Sequence, residues 1–124
     1  LGNLVTAPRV ALVGAGAIAP FHVAALRAVG FQVDHVAGSS SSRRAEAFAT
    51  DQEIPHYWSD PTELVESDDW DALVLACATE ALPDLLRRAV RTRRPCLVEK
   101  PLSFDSGVIL GFGSADEYIR VAYN

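Results

Sequence analysis

Gly14-Ala15-Gly16-Ala17-Ile18-Ala19, spaced G-x-G-x-x-A directly behind the apolar run Val10 to Val13, constrains the fold more than any other stretch of the chain. The run has no polar face, which suits a parallel strand covered on both sides. Small residues then turn the chain out of the strand and into a helix. Gly14 allows the sharp turn, Gly16 leaves no Cβ in the way of an approaching pyrophosphate, and Ala19 lets the helix pack close to the strand. Unpaired N–H groups and the positive end of that helix then face the phosphates. The pattern is weak in isolation, and its place between a strand and a helix is what makes a dinucleotide site the leading reading over a plain turn.

The chain has 124 residues, about one domain, with room for a core but little for a complete two-substrate enzyme. Strand and helix periodicities both occur, so the expected class is α/β: a doubly wound parallel sheet of Rossmann type. Sixteen acidic against eleven basic residues give a net charge of −5, no electrostatic footprint for nucleic acid or an anionic membrane. No apolar run approaches the ~18 residues of a membrane span, and no basic-then-apolar secretory pattern opens the chain, so a cytoplasmic setting is expected. Cys77 and Cys96 lie in apolar runs that read as strands. There they act as small buried hydrophobes rather than as a disulfide or metal pair, and no metal site is expected.

In chain order, residues 1–8 read as a leader and 9–124 as the binding domain. The first helix runs from Ile18 to Val29 with Ile18, Ala25, Leu26 and Val29 at helical spacing, Pro20 in its first turn and Gly30 at its end. His22, one turn in, lies near where a cofactor would rest; a solvated helix residue is the other reading. Phe31 to Ala37 is a second strand. An NAD site usually carries an acidic residue at the end of this strand. Asp34 comes before the strand's last apolar pair, and the terminal stretch is Gly38-Ser39-Ser40-Ser41-Ser42-Arg43-Arg44. Hydroxyls and guanidinium groups suit a 2′-phosphate, so NADP is favoured with NAD possible; a flexible serine loop with solvated arginines is the alternative.

Arg44 to Thr50 forms a short helix with Ala45, Phe48 and Ala49 inward, and His56-Tyr57 a short edge strand. Asp60-Pro61-Thr62-Glu63 is a helix start, with Asp60 as N-cap and Glu63 reaching back. Ala72 to Ala76 is a buried strand leading to Cys77-Ala78-Thr79. Thr79 can cap the next helix, whose Leu82, Leu85, Leu86, Ala89 and Val90 share a face. Arg87, Arg88, Arg91, Arg93 and Arg94 crowd its far end as a solvated face. Cys96 to Val98 is the next strand, and Glu99-Lys100-Pro101 sits at its carboxyl end, the edge at which open α/β sheets bind ligands.

Taken together, VGAGAIA followed by His22, Ser59-Asp60 before a helix, LACAT at Leu75 to Thr79 and VEKP at Val98 to Pro101 resemble the N-terminal Rossmann domain of the Gfo/Idh/MocA family of NAD(P)-dependent oxidoreductases. The resemblance implies that Gly14, Gly16, Ala17 and Ile18 meet the pyrophosphate. It implies that Ser39, Ser40, Arg43 and Arg44 meet the adenosine ribose, and that Ala78 and Thr79 meet the middle of the cofactor. Glu99, Lys100 and Pro101 would lie beside the nicotinamide, with Lys100 catalytic: it hydrogen-bonds a substrate oxygen and stabilises charge as hydride moves. In the family Pro101 often follows a cis peptide, which would aim Lys100 into the cleft.

Three departures bear on the carry-over. Glu80 and Asp84 stand where the family often has proline and histidine, and a carboxylate at Glu80 is unfavourable near phosphate unless it turns away. Leu102 to Glu117 is short for a helix and a return to the strand Tyr118 to Tyr123, and Gly107, Gly111 and Gly113 weaken that helix. After VAYN the family continues into a substrate domain that is absent from this sequence.

The resemblance thus implies the cofactor-binding part of an oxidoreductase acting on a hydroxyl or carbonyl carbon of a sugar-like or other polar small molecule. The alternatives are a solitary dinucleotide-binding sensor or assembly module, and a piece of a longer chain. An open sheet edge near Tyr118 to Tyr123 leads us to expect self-association or pairing with the missing domain.

Overall fold

A computed structural model describes residues 7–38, 43–77, 80–99 and 119–122. Its centre is β1 (Arg9–Val13), four of whose five residues are buried because the strand is covered on both faces. Around it lie β2 (Gln32–Ala37), β3 (His56–Trp58), β4 (Ala72–Leu75), β5 (Cys96–Glu99) and β6 (Ile119–Ala122). All pair in parallel, in the order β3-β2-β1-β4-β5-β6. The order reverses between β1 and β4, which creates the crevice where such sheets bind ligands.

Strand alternation divides the core between the two faces. Val10, Leu12, Val33, Val36 and Val74 pack with Ala19 and Val23 of α1 (Ala19–Ala28) and with Phe48 and Ala49 of α2 (Arg44–Asp51). Ala11, Val13, Leu73, Leu75, Cys96 and Val98 pack on the other side. Their partners there are Leu64 and Val65 of α3 (Pro61–Glu66) and Leu82, Leu85, Leu86 and Ala89 of α4 (Leu82–Arg91). The result is the doubly wound parallel sheet that the sequence leads one to expect.

Most local readings hold. Ala45, Phe48 and Ala49 are buried, His56–Trp58 is an edge strand, and Asp60 caps α3 by accepting from the Thr62 N–H at 2.9 Å. The cysteines are free; Cys96 is buried in β5, while Cys77 lies just past β4 rather than within it. Burial raises their thiols to about 12 and about 11, respectively, so both stay protonated near neutral pH.

Three readings are corrected. Of the four α1 residues singled out for their helical spacing, only Leu26 packs against the core, and the buried positions are Ala19 and Val23. Ile18 is 43% and Val29 71% exposed, Ala25 is also outside, and Phe21 joins that outer face. The small residue Ala19, fully buried, and Val23 one turn later are what the helix lays on the sheet.

Second, α4 begins with Ala81 at its N-cap and no side-chain cap, two residues beyond where Thr79 would cap it. Third, Arg94 is not part of a solvated face. Its guanidinium stacks 3.6 Å from the Trp70 ring centroid and donates to the carbonyls of Trp70 at 2.6 Å and Ser67 at 2.7 Å. Trp70, 1% exposed, gives its own indole N–H to the Leu64 carbonyl. Arg88 stays on the outer face, where it bridges Asp84 and Glu66, both at 2.9 Å.

Candidate functional site: the glycine turn and the strand ends

The carboxyl ends of β1, β2, β4 and β5 share one edge of the sheet, and Gly14, Gly16, Ala17, Ile18 and Glu99 of the candidate residues follow or end those strands. The Gly14 N–H donates to the Ala37 carbonyl at 2.8 Å and the Ala76 N–H to the Val13 carbonyl at 2.8 Å, so the turn is stitched to both neighbours of β1. Gly14 has φ +114°, and a Cβ on it would sit 2.1 Å from the Ala76 carbonyl oxygen. Backbone conformation and backbone packing both demand glycine at this point.

Gly16 is different. A Cβ there would meet nothing within 4 Å, and the residue lies outside the left-handed region. Nothing in the described protein requires glycine at position 16. The open space over it is where a ligand backed onto the main chain would sit. Ile18 occupies the N-cap of α1 without a capping side chain, and Pro20 lies in the first turn. Among the described residues, the N–H groups of Gly16, Ala17 and Ile18 have no backbone or side-chain acceptor. Free donors at a helix start, with the dipole behind them, form an anion site matched to a pyrophosphate.

The end of β2 carries no carboxylate toward this edge. The register of β1 on β2 jumps from Val10↔Val33 to Ala11↔His35, leaving Asp34 as the extra residue of a bulge. Asp34 lines a cavity of about 410 Å³ with Arg9, His35, His56, Trp58 and Asp69, five residues that are not part of the glycine turn. Within that group the Trp58 indole donates to His35 Nδ1 at 3.0 Å, and the His35 and His56 rings stack at 4.9 Å. Burial, reinforced by His56, lowers the His35 pKa, so the ring stays neutral. At the neighbouring strand start Arg9 donates to both oxygens of Asp71. That contact raises the guanidinium pKa and lowers that of the carboxyl.

Arg43 and Arg44 stand exposed where α2 begins, and neither guanidinium makes a hydrogen bond or ion pair to another described residue. Glu80 is exposed as well, while Asp84 faces Arg88 on the outside of α4, which accounts for its charge without a role at the cleft. Glu99 ends β5, and its Oε1 lies 2.7 Å from Nε2 of His22, a contact between residues 77 apart in sequence. Ser39, Ser40, Ala78, Thr79, Lys100 and Pro101, together with the segment Leu102 to Glu117, lie outside the described residues.

The all-parallel 3-2-1-4-5-6 sheet, with a glycine turn feeding a helix at its switch point, is a Rossmann-type dinucleotide-binding fold. The comparisons carry this further. Residues 8–111 match the oxidoreductase family with an NAD-binding Rossmann fold known as Gfo/Idh/MocA, and the chain belongs to that family. Two curated relatives are inositol 2-dehydrogenases. The one from Saccharopolyspora erythraea is 37% identical over 100 residues, and the one from Paenarthrobacter aurescens is 34% identical over 97. The matches take in 79% and 77% of this chain but only 29% and 28% of those proteins.

Among solved structures, myo-inositol dehydrogenase from Lactobacillus casei, in complex with NAD(H) and myo-inositol, matches 94% of this chain and 36% of its own. Its TM-score is 0.83 at 23% identity. An NAD-binding oxidoreductase from Klebsiella pneumoniae gives a TM-score of 0.85 at 17% identity, over 96% of this chain and 35% of its own. At these identities the structures establish the fold. Among the described residues no helix is long and apolar enough to cross a membrane.

Proposed function

We propose that this chain is the cofactor-binding portion of an NADP-preferring dehydrogenase that acts on a secondary alcohol or ketone carbon of a cyclic polyol or similar sugar-like molecule. The observation that carries the reading is the turn at Gly14 to Ile18: free N–H donors at a helix start, and open space over a glycine that the protein itself does not need. The polyol class is supported by the inositol 2-dehydrogenase relatives. The NADP preference is supported by two exposed arginines at the start of α2 and by Asp34 being committed to the bulge rather than to the strand's end. A carboxylate at that end would repel a 2′-phosphate, and a guanidinium fork attracts it.

When bound, the nicotinamide supplies the hydride acceptor or donor. The residues of the chain hold and orient it: the N–H groups of the turn take the pyrophosphate, and Arg43 and Arg44 take the 2′-phosphate. Lys100, the residue after Glu99, is assigned to the substrate oxygen, where an ammonium group stabilises the charge that develops as hydride leaves or arrives at the neighbouring carbon. The test is a titration with NADPH and NADH, read by fluorescence or calorimetry, of the unaltered chain and an Arg43→Ala, Arg44→Ala double variant. Tighter NADPH binding that collapses in the variant is expected. Equal affinities, unchanged by the substitutions, would refute the NADP preference, and binding of neither nucleotide at millimolar concentration would refute the dinucleotide reading.

A further inference from the structure

Glu99 and His22 reach each other through two independent periodicities. In β5, Cys96 and Val98 face the α3/α4 side, while Leu97 packs against the cluster built on α1 and α2. Alternation therefore turns Glu99, two residues after Leu97, toward the α1 side. In α1, Ala19, Val23 and Leu26 lie on the sheet. His22, three residues after Ala19, flanks that row at the level of the first turn.

The two side chains are only 14% and 19% exposed and meet at 2.7 Å. In the tautomer that carries its proton on Nε2, the ring N–H donates and the carboxylate oxygen accepts. A 2.7 Å contact between an imidazole nitrogen and a carboxyl oxygen, both mostly buried, is at the short end of such hydrogen bonds. It spans the crevice, because β5 lies beyond β4 from the strand that feeds the turn.

We propose that His22 and Glu99 are a positioning pair. They fix the carboxyl end of β5 to the first turn of α1, and so set the spacing between the half of the cleft that takes the pyrophosphate and the half that takes the nicotinamide. The inference rests on the dinucleotide reading above and deepens it. It also reassigns Glu99, expected from the family resemblance to meet the cofactor, to a strut whose carboxylate is engaged by the protein. The adenosine and phosphate half is held by the turn itself and does not need the strut. Register at the nicotinamide does.

Comparing NADH with ADP-ribose, which keeps the adenosine, both phosphates and the second ribose but lacks the nicotinamide, separates these contributions. The unaltered chain is titrated with both ligands beside His22→Leu, His22→Gln and Glu99→Gln, with the urea midpoint of each variant measured in parallel. His22→Leu is expected to weaken NADH binding about tenfold or more while leaving ADP-ribose within about twofold, and both Gln variants, which keep a hydrogen-bonded pair, recover most of the loss. Equal weakening of both ligands would overturn the inference in favour of a merely structural contact, and so would NADH binding that ignores all three substitutions. If the unaltered chain binds neither of these ligands nor NADPH, the dinucleotide reading fails first and takes the strut with it; if it binds NADPH alone, the same comparison is read with NADPH against 2′-phospho-ADP-ribose. ADP-ribose binding as tight as NADH binding in the unaltered chain overturns the strut alone.

Discussion

Alanine placed at Gly14 and alanine placed at Gly16 should do opposite things, although the two glycines are two residues apart. At Gly14 the new Cβ lies 2.1 Å from the Ala76 oxygen and 2.6 Å from its carbonyl carbon, at φ +114°. A non-glycine residue in such a region carries a conformational cost of about 1–3 kcal/mol. The contact is backbone against a buried strand end, so relieving it displaces the β1–β4 pairing and adds about 1–3 kcal/mol, the usual range for overpacking. A total of about 2–6 kcal/mol is a large part of the ~5–15 kcal/mol that holds a domain folded.

With a urea m-value of ~2 kcal/mol per molar, the middle of the usual range, Gly14→Ala lowers the denaturation midpoint by about 1–3 M or prevents folding. At Gly16 the Cβ enters open space at an ordinary φ. Gly16→Ala therefore leaves the midpoint unchanged or raises it by up to about 1 kcal/mol equivalent through the unfolded state. Its effect falls on the ligand, with NADH affinity down about tenfold or more, ~1.4 kcal/mol. Paired urea melts and NADH titrations on both variants are the assay. A Gly16→Ala protein that binds NADH normally, or a Gly14→Ala protein as stable as the parent, would refute the reasoning.

Other outcomes follow from the same structure. Trp70→Ala removes a fully buried indole, its bond to the Leu64 carbonyl and the platform under Arg94, and should cost about 3–5 kcal/mol in the urea midpoint. The His35 pKa is depressed in the folded state, so the unfolded chain binds the extra proton first: stability is full above about pH 6.5 and declines as pH falls toward the folded value. Melts between pH 7.5 and 5 should show this decline, and His35→Asn should flatten it. If the sheet edge at β6 is open in solution, light scattering at rising concentration should show association beyond a monomer; a clean monomer counts against it.

What the sequence made legible was whatever is decided locally. The apolar run of β1, the Asp60-Pro61 start of α3 and the inward face of α2 each depend on a few adjacent residues, and each was found. The face of α1 was misjudged because the larger apolar residues, Ile18 and Val29, lie outside while small Ala19 does the packing; size and burial part company where a helix is pressed onto a sheet. Arg94 read as solvated because Trp70, its platform, is 24 residues away. The glycine turn is visible as a motif, but that Gly14 lies against the Ala76 carbonyl while Gly16 faces open space needs the neighbouring strand in place. The link from His22 to Glu99 depends on strand order, which no local pattern contains.

The bulge at Asp34 acts on parity. Val33 and Val36, an odd number of positions apart, both face the α1/α2 side, which a regular strand forbids. One surplus residue has re-phased everything downstream, so that Ala37 faces the opposite layer and the chain enters the stretch toward Arg43 one step out of frame with the strand's beginning. Counting acids forward from the glycines therefore misleads here: a surplus residue near the middle of β2 decides which side chains the strand's carboxyl end presents, several positions before that end is reached.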